Sequence, residues 1–281
     1  MKKIIMKLSR PMVVALLLTF IVSCSNDNNN YPPFTPTVVV TFTQDPNNGL
    51  IFQFNTGYIT NTESMMWDFG DGGTSTDANP AYTYTVGGAY TVTLTLKGTE
   101  GADLVKEIPV EAFTYESITV VNGDFELPVT TNQIRSWADP SIPGWTSDDP
   151  RIDDQDSGVQ NGNGGRTGYL KSSSPYNPYQ TTDFTIATAG TTFRLRCVFG
   201  DAWNCKNAKM ILYYLEDDGV TRTPLGSKTY PQDNYATVRE LQVESTAESV
   251  GKFIGIEFDN PDADDSWLGI DNVELAFRKI D

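Results

Sequence analysis

Ala89-Tyr90-Thr91-Val92-Thr93-Leu94-Thr95-Leu96 alternates strictly from Tyr90 onward, with Tyr90, Val92, Leu94 and Leu96 separated by threonines. A period of two places those four side chains on one face of an extended chain, whereas an amphipathic helix needs a period near 3.6. The stretch is therefore a strand with one buried face. Working outward, Val38-Val39-Val40-Thr41-Phe42 and Leu50-Ile51-Phe52-Gln53-Phe54 are equally rich in branched and aromatic residues. Pro46-Asn47-Asn48-Gly49 and Val86-Gly87-Gly88-Ala89 supply turns between strands. No long helical period occurs, so the fold class is all-β.

A chain of 281 residues has room for two domains, and its apolar content excludes wholesale disorder. The formal net charge is −16, which argues against a phosphate backbone as partner. Histidine is absent, which removes Ser-His-Asp and Cys-His nucleophiles and every His-ligated zinc site. The 3 cysteines are too few for an all-cysteine zinc site. Carboxylate chemistry, hard-metal binding or no catalysis remain.

Residues 1–23 read as an export signal. Lys2, Lys3, Lys7 and Arg10 form a basic start, and Pro11 to Val22 is an apolar run too short to span a bilayer comfortably. It ends at Ile21-Val22-Ser23-Cys24, which resembles the lipobox of bacterial lipoproteins, with Cys24 taking the lipid. An ordinary signal peptide with an incidental cysteine is the alternative. Residues 24–34, Asn-rich and Pro-bearing, read as a flexible tether, similar to the leader of surface lipoproteins of the Bacteroidota type.

Trp67-Asp68-Phe69-Gly70-Asp71-Gly72-Gly73, then Asn79-Pro80-Ala81-Tyr82-Thr83-Tyr84, then Gly88 to Leu94 resemble, in that order, the PKD domain family. The resemblance covers about residues 35–113 and implies an immunoglobulin-like sandwich. Trp67 and Phe69 flank Asp68, so both rings can face one core, and Asp71-Gly72 suits a turn needing positive φ. The expected role is a spacer. An aromatic ligand platform is the alternative.

Residues 116–281 form the second expected domain. Strand-like runs lie at Thr181–Thr188, Thr192–Phe199, Met210–Leu215, Thr237–Glu244 and Phe253–Phe258. With long loops between them, they suggest a jelly roll. The opening Asn122-Gly123-Asp124-Phe125-Glu126, the Ile142-Pro143-Gly144-Trp145 that follows, and the closing Gly269-Ile270-Asp271-Asn272-Val273-Glu274-Leu275 resemble the galactose-binding-like superfamily, particularly its carbohydrate-binding modules. The resemblance implies a calcium ion held between first and last strands. Asp124, Glu126 and Asp271 are its candidate ligands, because hard cations take carboxylate oxygens. The alternative makes Asp124 a turn residue and Asp271 a strand end.

Trp145 follows Pro-Gly and reads as core. Trp137, Trp203 and Trp267 lie beside Asp, Asn or Ser and suit sugar stacking, with Asp201 and Asn204 as hydroxyl partners. Tyr176 and Tyr179 are further candidates. Each aromatic could instead plug a loop onto the sandwich. The run Asp148 to Asp156 reads as a solvated loop. Gly162-Asn163-Gly164-Gly165 lacks the context of a phosphate loop. Cys197 and Cys205 can face each other if Gly200–Trp203 turns between strands, so a disulfide that pins Trp203 is expected; two buried thiols are the alternative.

The expected protein is a surface-anchored glycan-binding lipoprotein without catalytic residues. It resembles the accessory glycan-binding proteins of starch-utilisation-type uptake systems, whose partners are an outer-membrane transporter and its lipoprotein lid. Resemblance to laminarin-binding families leans toward a β-1,3- or mixed-linkage β-glucan. A glycosidase using distant Asp/Glu pairs, or an adhesion protein binding other proteins, are the alternatives. Cys24→Ala is expected to abolish lipid labelling and release the chain from the membrane fraction. A variant that still fractionates with the outer membrane would remove the lipobox reading.

Overall fold

The computed structural model describes residues 35–98, 102–130, 132–152, 157–162, 165–172, 174–232 and 236–280, without the side chains of Gly162 and Asp201. The export signal, Cys24 and the tether lie outside the described residues. All regular structure among them is strand. Two compact units divide the chain: residues up to Tyr115 with Lys279 and Ile280, and Glu116–Arg278.

The first unit contains β1 (Thr37–Gln44), β2 (Ile51–Thr60), β3 (Thr62–Asp68), β4 (Thr74–Ser75), β5 (Ala81–Thr83), β6 (Gly88–Gly98) and β7 (Asp103–Ala112). They make a three-stranded sheet ordered β1-β2-β5 and a four-stranded sheet ordered β4-β3-β6-β7. Val92, Leu94 and Leu96 point inward from β6, as the alternation requires, and pack with Phe52, Phe54, Trp67, Phe69 and Tyr84. The aspartates beside Trp67 and Phe69 build a turn. Asp68 Oδ1 accepts the Gly70 N–H at 2.9 Å and Asp71 Oδ1 accepts the Gly73 N–H at 3.0 Å. Gly72 has φ of 95°, a conformation other residues rarely adopt. Tyr82, stacked on Phe69 at 3.7 Å, donates its hydroxyl to Asp71 at 2.7 Å. Burial first and that carboxylate second push its phenol up to about 12. The motif is thus spent on folding: Trp67 Nε1 donates to the Asp77 carbonyl and Tyr84 to the Phe69 carbonyl.

The second unit holds β9 (Ser157–Gly162), β10 (Gly165–Lys171), β11 (Tyr179–Thr185), β12 (Thr192–Trp203), β13 (Asn207–Leu215), β14 (Arg222–Pro231), β15 (Thr237–Glu244), β16 (Phe253–Asp259) and β17 (Trp267–Lys279). One sheet is ordered β15-β12-β17-β10-β9, with β8 (Thr114–Ile118) joining β17 off this path. The other is ordered β11-β16-β13-β14. Phe193, Leu195 and Phe199 of β12 and Ile270, Leu275 and Leu268 of β17 meet Met210, Leu212, Ile254, Ile256 and Phe258 in one core.

Trp137 belongs to that core, which corrects its assignment to a ligand face. It is 0% exposed, and its indole N–H donates to the Tyr169 carbonyl at 3.0 Å. Its ring stands 5.5 Å from Phe125 and 6.1 Å from Trp145. The hydrophilic neighbours that suggested a loop are real, but Ser136 is itself buried and bonded to the Arg151 carbonyl, so the segment dips inward. Trp137→Ala and Trp145→Ala are each expected to lower unfolding free energy by about 3–5 kcal/mol, as large-to-small core changes do. Denaturant titration measures it. A loss under about 1 kcal/mol would contradict the core placement.

Candidate functional site

The pairing of β12 with β17 decides what faces outward on the larger sheet. Phe199 pairs with Ile270, Gly200 with Gly269, and Trp203 with Trp267; a register irregularity falls between Asp201 and Trp203. Phe199 and Ile270 are core residues, so the glycines belong to the opposite face. β10 continues each row, with Tyr169 opposite Gly269 and Lys171 opposite Trp267. One row therefore reads Trp203, Trp267, Lys171. The next reads Gly200, Gly269, Tyr169. Beyond it lie Val238, Val198 and Asp271. A Cβ added at Gly200 would meet nothing within 4 Å, and the atoms nearest to one at Gly269 belong to the Gly200 backbone. Gly200 and Gly269 thus leave a bare floor of main chain beside an aromatic wall, with the buried Tyr169 at its end.

The five tryptophans sort into two kinds. Trp67, Trp137 and Trp145 are buried, and each donates its indole N–H to a main-chain carbonyl. Trp203 is 53% exposed and Trp267 half-buried. Among the described residues neither of these indole N–H groups has a protein acceptor. Their rings meet edge to face at 5.2 Å. Lys171 Nζ lies 5.0 Å from the centre of the Trp267 ring, a cation–π distance. Trp267 is thus flanked by Trp203 on one strand and Lys171 on the other, and Trp203 carries the open ring.

The support beneath the pair is polar and built. After Trp203 the chain turns at Asn204, whose φ is 54°, and its Nδ2 reaches the Asp265 carbonyl at 3.5 Å. Asp262, buried, accepts the Lys206 N–H at 2.6 Å, the Asn207 amide at 2.8 Å and the Ser266 hydroxyl at 3.0 Å. Asn260 donates to the Leu170 carbonyl at 3.1 Å and to Ser266. These bonds tie the segment before β17 to β10, to the turn after β12 and to the start of β13. The Asp201 side chain lies outside the described residues.

Cys197 and Cys205 are not joined, which corrects the expected disulfide; both are buried thiols. β12 does not turn at Gly200 but runs on to Trp203. Six residues of strand carry the chain about 20 Å from Cys197 before it turns, far beyond disulfide reach. Cys197 faces the core opposite Arg239, and burial pushes its thiol well up. Cys205 Sγ donates to the Asn207 carbonyl at 3.2 Å. The segment that follows Trp203 is tied down by Asp262 through Lys206 and Asn207, not by a disulfide.

Tyr179 stands elsewhere, on the other sheet, and its ring is covered. The Arg222 guanidinium lies 3.7 Å from its centre, and its hydroxyl donates to Asp148 at 3.0 Å. Arg222 also reaches Asp148 at 2.6 Å and Glu257 at 3.2 Å. Burial works against the Arg222 charge, but Asp148 outweighs it and holds the guanidinium protonated; the Arg222 hydrogen bond in turn lowers the Asp148 carboxyl. At the start of the acidic run Asp148 is exposed, as a solvated loop requires, yet held by Arg222, and Asp149 is buried against Arg151 at 2.9 Å. Asp153, Asp154 and Asp156 lie outside the described residues. Tyr176, half-buried, sits in the loop after Lys171, its N–H donated to Ser174 Oγ at 3.3 Å.

Asp124 and Glu126 line a cleft of about 500 Å³ together with Asn122, Gly123, Asn272 and Glu274 among others; Asp271 precedes Asn272 in the chain and is not part of the lining. Burial first, then the charges of Glu126 and Asp124, push the Asp271 carboxyl up, against a pull from the Asn272 N–H. Asn122, Phe125 and Asn272 all have positive φ, which for Phe125 is a strained backbone. The charge suits a hard cation. Glu126 Oε1, however, accepts the Arg166 N–H at 2.9 Å, and no three acidic or thiol groups close into a metal cage among the described residues. Main-chain oxygens would have to complete any shell.

Comparison with known proteins finds a family match over the first unit. Residues 34–111 match the PKD domain family. Collagenase ColA of Bacillus cereus is 38% identical over 82 residues, 25% of this chain and 8% of that protein. Pre-pro-metalloprotease PrtV of Vibrio cholerae is 51% identical over 41 residues, 15% of this chain and 4% of that protein. The chain thus spans less than a tenth of either relative. Among solved structures, a carbohydrate-binding module of the β-sandwich superfamily aligns over 87% of this chain and 99% of its own, with 18% identity and a TM-score of 0.47. The cyclase Fisc of Fischerella sp. TAU aligns over 60% of this chain and 100% of its own, with 17% identity and a TM-score of 0.45. The chain is all-β, with a PKD domain match over residues 34–111.

Proposed function

We propose that the second unit is a non-catalytic glycan-binding module, and that the chain presents it at a cell surface. The observation that carries this reading is the Trp203–Trp267 pair standing beside the bare floor of Gly200 and Gly269. A pyranose ring has an apolar face that stacks on indole, and a flat main-chain floor lets neighbouring sugar units lie close to the sheet. Exposing a large indole whose N–H has no protein acceptor among the described residues costs the free protein. A ligand that covers the ring and accepts from the N–H offsets that cost. In this reading the lipid on Cys24, the tether and the PKD-matching unit hold the module off an outer membrane. There it would concentrate polymer, with a lean to β-1,3- or mixed-linkage β-glucan, for a transporter and its lipoprotein lid.

Glycoside hydrolysis is the second reading, and Asp271 favours it: burial raises its carboxyl and it feels the Glu126 charge, and that chemistry uses a pair of carboxyl groups, one of them as acid. Affinity electrophoresis and reducing-sugar release on a polysaccharide panel divide the two: retardation without release supports the binder, release supports the hydrolase. Trp203→Ala is expected to cost about 1–3 kcal/mol of binding, roughly tenfold or more. Gly200→Leu is expected to fold normally, since its new Cβ meets nothing, yet to fill the floor and abolish binding. If both variants bind as the parent does, the ligand lies elsewhere.

A calcium ion at Asp124, Glu126 and Asp271 belongs to the same proposal, in a stabilising role. Removing it would leave three uncompensated carboxylates in one neighbourhood. Excess chelator is therefore expected to lower the melting temperature, and an unchanged melt would count against the ion.

A further inference from the structure

Two cations, one over the Trp267 ring and one three residues past Trp203, are both engaged by one loop. Lys171, beside Trp267, reaches Asp265 at 3.5 Å. Lys206, just past Trp203 and Asn204, reaches Asp264 at 2.5 Å. The Lys206 partner lowers the Asp264 carboxyl, so that acid stays ionised across neutral pH. Asp262, the third acid of the loop, is buried and bonded to backbone and side-chain donors. Three carboxylates thus stand against two ammonium groups at this end of the sheet. On the far side of the glycine floor, Asp271 feels the charges of Glu126 and Asp124. The whole chain carries −16.

An uncharged sugar needs only the indole face and hydroxyl partners from such a surface. A uronate or sulfated sugar must displace an aspartate from a lysine and face the remaining carboxylates. Resting on the glycan reading above, we infer that Asp264 and Asp265 are specificity-determining residues: by occupying Lys206 and Lys171, they restrict the site to uncharged glycans. Lys171 keeps its position over Trp267 and is withheld from an anionic ligand.

The test uses the full chain and matched pairs of polymer: laminarin, barley β-glucan, xylan and galactomannan, each with its carboxymethylated form. The parent chain is expected to bind at least one neutral polymer and to bind its carboxymethylated form about tenfold more weakly, with the gap narrowing as salt is added. The double variant D264N/D265N keeps the loop's main-chain bonds, and its melt reports that the fold is intact. It should hold the neutral polymer as before and gain about threefold on the charged one, the scale of an exposed ion pair. A parent chain that binds charged and neutral forms alike overturns the inference. So does a double variant with an unchanged ratio. Binding to carboxymethylated polymers alone overturns the inference and leaves the glycan reading standing. Failure to bind every polymer of either kind removes the glycan reading, and the inference with it.

Discussion

Register between β12 and β17 is the constraint on which the second unit depends. In a strand the side-chain period is two, so a slip of one residue would send Phe193, Leu195 and Phe199 to solvent and bring Arg194 and Arg196 into the core. Apolar burial forbids that slip. The same pairing then fixes the outer face: Gly200 must meet Gly269, and Trp203 must meet Trp267. The candidate site is in this sense a by-product of core packing, positioned by residues that never touch it. Two irregularities adjust it. One, between Arg196 and Val198, accompanies the positive φ of Asn272, and the other precedes Trp203 and brings its ring opposite Trp267.

Sequence patterning carried most of the fold because the inward rows alternate cleanly. Tyr90 to Leu96, Thr192 to Phe199 and Phe253 to Phe258 are strands where alternation or dense apolar content places them. β14 was not legible. Its sequence, Arg222 to Pro231, contains Pro224 and Gly226 and mixes Lys, Ser and Thr, yet it pairs with β13 along its length. An edge strand has one partner and little buried surface, so neither periodicity nor propensity marks it. β9 and β10 were obscured in the same way by glycines.

The site was half legible. Aromatic residues among Asp and Asn do locate Trp203 and Trp267, but composition cannot tell an inward from an outward indole, and Trp137 has the same neighbours. What separates them is the fate of the N–H: a main-chain carbonyl receives it from Trp137, Trp145 and Trp67. The glycine floor was unreadable for a different reason. Gly200 and Gly269 are 69 residues apart in the sequence, and each alone reads as a turn or a weak point in a strand. Only register makes them one feature. The expected disulfide failed on the same ground, since the reading put a turn at Gly200 where the strand continues.

Charge distribution separates holding a ligand from transforming it. Around the indole pair every carboxylate whose side chain is described is committed, Asp262 to donors, Asp264 and Asp265 to lysines. A general acid must keep its proton near neutral pH, and ion pairing works against that by favouring the carboxylate. Across the floor the balance reverses. Asp271 is partly buried among like charges, which raises its carboxyl. A cation there would draw the Asp271 carboxyl back down and remove that shift. The face thus offers two outcomes from one set of acids. With a cation bound, the face suits the proposed binding role, in which shape and hydroxyl pattern select the ligand. Without one, Asp271 is the carboxyl near the floor whose surroundings push it upward.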